Sequence, residues 1–222
     1  MDVPAQPLVS IVTPAYNAAD YLPDCITSVL RQTYTNWEYI IVDNCSTDGS
    51  AAIARGFAER DSRITVYENA EFLKAVRNHN ASLRHISSAS KYCKVVFADD
   101  WIFPQCVENM VGLAETCPSV GIVGAYALDG RNVLWTGLPY SSAVVPGREL
   151  CRRYFLERLY PFGTATSLLY RSDLVRRRAT FYNEMNIHAD TEVCIELLKM
   201  CDFGFVHQVL AFTRVREHSL VM

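Results

Sequence analysis

Apolar residues follow two alternating rhythms along the first hundred positions. The short runs Leu8 to Thr13, Trp37 to Val42, Arg63 to Tyr67 and Lys91 to Phe97 are β-rich and bounded by turn residues. Strands buried on both faces read this way. Between them lie longer stretches with apolar residues three and four apart. Tyr21 to Gln32 carries Leu22, Ile26, Val29 and Leu30 and is a predicted helix, and Phe72 to Ser88 contains a second, with Leu73, Val76, Leu83 and Ile86 on one face. A third helix is predicted over Gly49 to Arg60, with Thr47 or Asp48 as its cap. Strands alternating with helices make βαβ units and a parallel sheet. The second half is less regular. Helices are predicted over Pro104 to Thr116, Gly147 to Leu159 and Asp190 to Cys201. Strands are predicted over Val120 to Tyr126, Thr166 to Tyr170, Phe203 to Phe205 and Val209 to Val215, with a hairpin from Asp129-Gly130-Arg131-Asn132 into Val133 to Thr136. There is no repeat, linker or low-complexity segment, so residues 1–222 read as one α/β domain.

The polar residues sharpen this picture. Pro14 to Asn17, Asp43 to Asp48 and Asp99-Asp100 each follow the carboxyl end of a predicted strand. Right-handed crossovers bring those ends to one edge of the sheet, where open α/β sheets bind ligands. Asp99 and Asp100 have no basic neighbour in the sequence. Their mutual repulsion would be relieved by a hard divalent cation, which can also hold phosphate oxygens; the plainer alternative is that Asp100 caps the helix after Pro104. Tyr16 is placed either to stack on a nucleobase or simply to pack in its loop. Asp43 can accept hydrogen bonds from a base or ribose, or stabilise its turn. Arg77 offers a cation toward phosphate or lies on a solvated helix face. Asp190 either caps its helix or takes a proton from a hydroxyl, and His188 either holds an acceptor or sits at the surface.

Composition narrows the partners. The formal net charge of -3 gives no global basic character, which argues against nucleic acid. Arg176-Arg177-Arg178, near Arg171, reads as the solvated end of a helix, with a surface for an anionic acceptor or membrane headgroups as the alternative. None of the eight cysteines forms a C-x-x-C pair, as expected of reduced thiols in a cytosolic protein. Met1-Asp2-Val3-Pro4 lacks the features of a signal peptide, and no apolar run nears the roughly 20 residues of a membrane span. The expectation is a cytoplasmic protein whose membrane association, if any, is peripheral. No Ser-His-Asp, Walker A or G-x-G-x-x-G pattern is present, which weighs against hydrolase, P-loop and dinucleotide-binding readings.

Val9-Ser10-Ile11-Val12-Thr13-Pro14-Ala15-Tyr16-Asn17, then Val42-Asp43-Asn44-Cys45-Ser46-Thr47-Asp48-Gly49, then Ala98-Asp99-Asp100-Trp101 resemble, in order and spacing, the family 2 glycosyltransferases of the GT-A fold. His188-Ala189-Asp190-Thr191-Glu192 and Phe212-Thr213-Arg214 are similar to that family's later motifs, so the resemblance runs from Leu8 to Ser219. It implies a Rossmann-like, mostly parallel central sheet flanked by helices, with a nucleotide-sugar half over 1–101 and a smaller, irregular acceptor half over 102–222. It further implies an inverting, metal-dependent transfer from a nucleotide-sugar donor, most often a UDP-sugar. The acceptor would be a carbohydrate, lipid-linked or other hydroxyl in polysaccharide or glycolipid assembly; the oligomeric state is left open. By the same resemblance Thr13, Pro14, Ala15, Tyr16, Asn17, Asp43, Arg77 and Asp99 serve the donor, Asp100 holds Mg²⁺ or Mn²⁺, and Asp190 is the base.

Three departures from the family pattern stand out. Phe97 occupies a place where many members have another aspartate, and no glycine precedes Arg77-Asn78. Arg216 stands where a metal-reaching histidine is usual, and His218 comes two residues late. Either Arg216 meets the diphosphate directly, the favoured reading, or His218 reaches the metal through a loop shift. The thinned metal site and displaced histidine keep a non-catalytic nucleotide-sugar-binding subunit in view; a sugar-phosphate nucleotidyltransferase, from the same fold neighbourhood, is a second rival, against which the missing glycine- and lysine-rich signature counts.

Overall fold

The computed structural model describes residues 6–214, so Arg216 and His218 lie outside the described residues. In chain order the elements are β1 (Val9–Ala15), α1 (Leu22–Leu30), β2 (Trp37–Asp43), α2 (Ser50–Ala58), β3 (Ile64–Glu68), α3 (Ala75–Leu83), β4 (Tyr92–Val95), β5 (Trp101–Ile102) and α4 (Cys106–Thr116). There follow β6 (Val120–Asp129), β7 (Asn132–Leu134), β8 (Val144–Val145), α5 (Gly147–Glu157), a 3₁₀ turn (Ala165–Ser167), β9 (Leu168–Arg171), α6 (Ser172–Arg176), α7 (Ala189–Leu197) and β10 (Asp202–Phe212).

One sheet runs in the order β3-β2-β1-β4-β9-β6-β10-β5, with β7 on β6 and β8 on β10. Strands β1, β2, β3, β4, β6 and β10 point the same way, and β9 runs against its two neighbours. This is the mixed, mostly parallel architecture the resemblance implied. Alternate strand residues divide between two cores. Ile11, Tyr39 and Ile41 pack on the face covered by α1, α2 and α4, where Ile26, Ala54 and Met110 join them. Val12, Ile40 and Val42 pack on the other, with Leu83 of α3, Leu150 of α5 and Val193 and Leu197 of α7. Because both faces are covered, the strands carry the unbroken apolar runs read from the sequence.

Several boundaries differ for physical reasons. The two predicted final strands are one, β10, whose pairing with β6 slips between Val206 and Val209 and again between Val209 and Ala211. A bulge absorbs His207 and Gln208, the polar pair that looked like a break. Helix α3 occupies Ala75 to Leu83 within the predicted span, and Phe72 is left exposed on the approach to it. Helix α4 begins at Cys106 without a side-chain cap, so Asp100 does not cap it. Asp48 does serve α2: its Oδ1 accepts the Ser50 N–H at 3.0 Å, while Gly49 takes the left-handed conformation at φ 96°. The eight cysteines are all free thiols. Among the described residues no helix is long and apolar enough to cross a membrane.

Candidate active site

The carboxyl ends of β1 and β2 are laced into one rim. Asn17, at φ 45°, accepts the Thr47 N–H on its side-chain oxygen, and its own N–H donates to Ser46 Oγ, both at 2.9 Å. Asp48 Oδ2 accepts the Ala19 N–H at 2.9 Å, and Ser50 Oγ accepts that of Ala18 at 2.8 Å. A chain of amides ties this rim to the start of α3. Asn44 Oδ1 accepts from Asn69 Nδ2 and from the Leu73 N–H, and Asn69 Nδ2 also donates to Asn78 Oδ1, each at 2.9 Å.

Three cavities adjoin around the first turn of α3. The first, of 340 Å³, is lined by Pro14, Tyr16, Asn44, Phe72, Ala98 and Asp99 among others. The second, of 690 Å³, opens outward past Arg77, Glu184, Met185 and Ile187. The third, of 220 Å³, lies against Asp190, Thr164, Tyr182 and Ile187. Ala75 belongs to all three, and His79 and Phe97 wall both the first and the third. Tyr16 and Asp190, far apart in sequence, thus sit on neighbouring spaces with a common wall.

The predicted residues divide by depth. Tyr16 is 48% exposed, and its ring meets that of Phe72 at 4.8 Å between centroids, which leaves an aromatic surface toward the first cavity. Asp43 lies below at 3% exposure; its Oδ2 accepts the Ser46 N–H at 2.9 Å, while its buried Oδ1 has no partner among the described residues. Asp43 thus stabilises its turn through one oxygen and leaves the other without a partner among the described residues. Ala15 contributes its carbonyl to the Asn44 N–H. Thr13 is brought under the cleft, not into it: fully buried, its Oγ1 donates to the Val96 carbonyl at 2.8 Å and meets Tyr39 Oη at 2.9 Å. Arg77 lines the outer cavity, paired with Glu184 at 2.9 Å.

The acidic pair is not isolated from cations, as its sequence neighbours suggested. Asp99 lines the first cavity, whereas Asp100 is 2% exposed beneath it. Asp100 Oδ2 accepts from Thr166 Oγ1 at 2.6 Å and Oδ1 from the Arg214 backbone N–H at 3.0 Å. Arg214 Nε donates to the Asp99 carbonyl at 3.1 Å. Thr166 Oγ1 also accepts the Phe97 N–H at 3.1 Å, and its carbonyl, like that of Leu168, accepts from Lys94 Nζ. Lys94 is fully buried, and burial pushes its pKa down. A lysine inside an apolar strand was the one sequence signal for this brace; Thr166 gave none. The donor set consists of two adjacent carboxylates, and no cluster of three or more His, Cys, Asp or Glu gathers among the described residues. Hard oxygen donors of this kind would suit Mg²⁺ or Mn²⁺ rather than a metal that needs thiolates or imidazoles, and both Asp100 oxygens already accept hydrogen bonds.

Asp190 stands in the first turn of α7, half-buried, its Oδ1 accepting the Thr191 N–H at 2.8 Å. Desolvation raises its pKa above the usual carboxylate value. A carboxylate so placed is a stronger base than one in water. His79, which sequence reasoning passed over, stacks on Phe97 at 5.0 Å and 26°. Burial lowers its pKa to about 4, so it presents a neutral ring to both cavities.

The family model described as Glycosyl transferase family 2 matches residues 10–179, more than half of the chain. TuaG of Bacillus subtilis (strain 168), described as a teichuronic acid biosynthesis glycosyltransferase, is 41% identical over 95 residues, 43% of this chain and 37% of TuaG. Among solved structures, Staphylococcus aureus TarS 1-349 in complex with UDP-GlcNAc superposes with a TM-score of 0.73 at 15% identity, over 95% of this chain and 59% of that one. The mannosyltransferase PcManGT of Pyrobaculum calidifontis, in complex with GDP-Man and Mn²⁺, gives a TM-score of 0.70 at 18% identity, over 97% of this chain and 59% of that one. The chain spans less than two thirds of each. Those structures share its fold, and the family match over residues 10–179 carries the assignment: this chain belongs to glycosyltransferase family 2.

Proposed function

We propose that the chain moves a sugar from a nucleoside diphosphate sugar, a UDP-sugar in the first instance, to a hydroxyl acceptor, inverting the anomeric carbon. The observation that carries this reading is the shared wall of Ala75, His79 and Phe97 between the cavity of Tyr16 and Asp99 and the cavity of Asp190. A donor whose base lies by Tyr16 would then reach toward Asp190 with its sugar. Tyr16 and Phe72 give the base an aromatic face, and Asp43 Oδ1, without a partner among the described residues, accepts a base or ribose donor. Asp100, beside Asp99, would hold Mg²⁺ or Mn²⁺, which when bound supplies charge neutralisation for the diphosphate. Asp190, its basicity raised by desolvation, takes the acceptor's proton as the acceptor oxygen attacks the face opposite the leaving group. A role in polysaccharide assembly is supported by the description of TuaG.

Calorimetry with UDP and GDP, with and without Mn²⁺, followed by a panel of nucleotide sugars assayed for nucleoside diphosphate release, tests the reading. Metal-strengthened binding with release from one donor is expected. Binding without turnover on any donor would make the chain a non-catalytic binder, and pyrophosphate release from a sugar phosphate and a nucleoside triphosphate would make it a nucleotidyltransferase.

A further inference from the structure

At the far end of α3, three arginines that form no close ion pair among the described residues rim a separate cavity, with Glu184 and Glu192 acting on Arg84 and Arg178 only at a distance. Arg84, Arg176 and Arg178 line a pocket of 200 Å³ that no carboxylate lines. Their neighbours are matched: Arg77 pairs with Glu184, and Arg171 and Arg177 both pair with Asp173. Arg84, Arg176 and Arg178 form no ion pair among the described residues. Of the arginine run singled out in the sequence, the solvated-helix reading thus suits Arg177, while Arg176 and Arg178 turn to the pocket.

One of the three is held in place. Arg176 Nη1 donates to the carbonyls of Ser87 and Ser90 at 3.0 and 3.1 Å. Arg178 Nε is buried and donates to nothing among the described residues. A buried guanidinium N–H without an acceptor is costly, and three like charges around one small space repel. An oxyanion relieves both, since planar guanidinium donors match phosphate oxygens. Beneath the rim the floor is apolar, with Leu83, Ile86, Val175 and Phe181 all buried. From these observations we infer that the pocket is a second ligand site, binding a phosphate-type oxyanion apart from the donor cleft.

The nine residues of α3 separate it from the cleft by about 13 Å along the helix axis. Asn80 connects the two. It lines the pocket, its Oδ1 accepts the Tyr182 N–H and its Nδ2 donates to the Tyr182 carbonyl, both at 2.8 Å, and Tyr182 lines the Asp190 cavity. The oxyanion is either free phosphate or the phosphate end of an apolar carrier, which the floor would accommodate.

The test is titration of inorganic phosphate, then farnesyl monophosphate, into protein saturated with UDP, beside the variants Arg84→Gln and Arg178→Gln. Each substitution is expected to weaken both probes about tenfold or more while leaving UDP affinity unchanged. Arg84 is exposed and its side chain forms no close ion pair among the described residues, so its variant reads out binding even if Arg178→Gln fails to fold. Tighter binding of farnesyl monophosphate than of phosphate identifies an apolar carrier, and equal binding identifies free phosphate. No phosphate binding, binding indifferent to both substitutions, or binding abolished by UDP would overturn the inference. None of these outcomes bears on sugar transfer, so its failure and that of the proposed function are separable.

Discussion

Replacing Thr166 by valine isolates the contact on which the acidic pair rests. The hydroxyl is fully buried, donates to Asp100 Oδ2 at 2.6 Å and accepts the Phe97 N–H at 3.1 Å. Valine keeps the shape and removes both bonds. A hydrogen bond to a charged group contributes about 1.5–3 kcal/mol and a neutral one about 0.5–1.5 kcal/mol, with a further cost when the abandoned partner stays buried. The expected loss is therefore about 2–4 kcal/mol, a large part of a typical domain stability of about 5–15 kcal/mol yet survivable. Urea titration followed by circular dichroism measures it, and an unchanged slope shows that the unfolded state is not what moved. Thr166→Ser, which retains the hydroxyl, should lose only about 1 kcal/mol for the missing methyl group. A valine variant within about 0.5 kcal/mol of the parent, or a serine variant as unstable as valine, would refute the bracing role.

Three further outcomes follow from the same geometry. Asp43→Asn keeps an oxygen for the Ser46 N–H but offers an amide where the buried Oδ1 now has no partner among the described residues. Nucleotide affinity by calorimetry should fall about 10- to 100-fold with little change in melting temperature, and undiminished binding would remove Asp43 from base or ribose recognition. His79 has a folded-state pKa of about 4 against an ordinary 6.5, so the unfolded chain takes up its proton first. Stability from this residue is complete above pH 6.5 and is lost as pH falls toward 4, by at most about 3 kcal/mol, a ceiling because the ring still edges two cavities. His79→Phe, by denaturant titration across that range, should flatten this part of the profile. The raised pKa of Asp190 should move the acidic limb of kcat/KM above the usual carboxylate range, since only the ionised form accepts a proton; a limb at or below that range would contradict it.

What the sequence made legible was whatever repeats locally. Unbroken apolar runs named β1, β2 and β4 because both faces of the sheet are covered, and strand-end polar clusters named the rim. What it hid was nonlocal or short. The two residues of β5 owe their strand to pairing with β10, and the polar His207 and Gln208 disguised one strand as two. Thr166 gains its importance from Asp100, 66 residues away in sequence, and His79 from stacking on Phe97. Phe97 itself looked like a departure, a phenylalanine in place of a carboxylate. In the fold it forms the partition between the two cavities, a role that needs an apolar ring and not a metal ligand.

The central claim, that the donor cleft and the Asp190 cavity form one transfer site, is tested most directly by Asp190→Asn. The measurement pairs calorimetric binding of the productive nucleotide sugar with the rate of sugar transfer. The change should leave donor affinity within about twofold and lower turnover about 10²- to 10⁴-fold, the usual contribution of a positioned base. Transfer at the parent's rate with asparagine in place would contradict the account, as would loss of donor binding and transfer in equal measure.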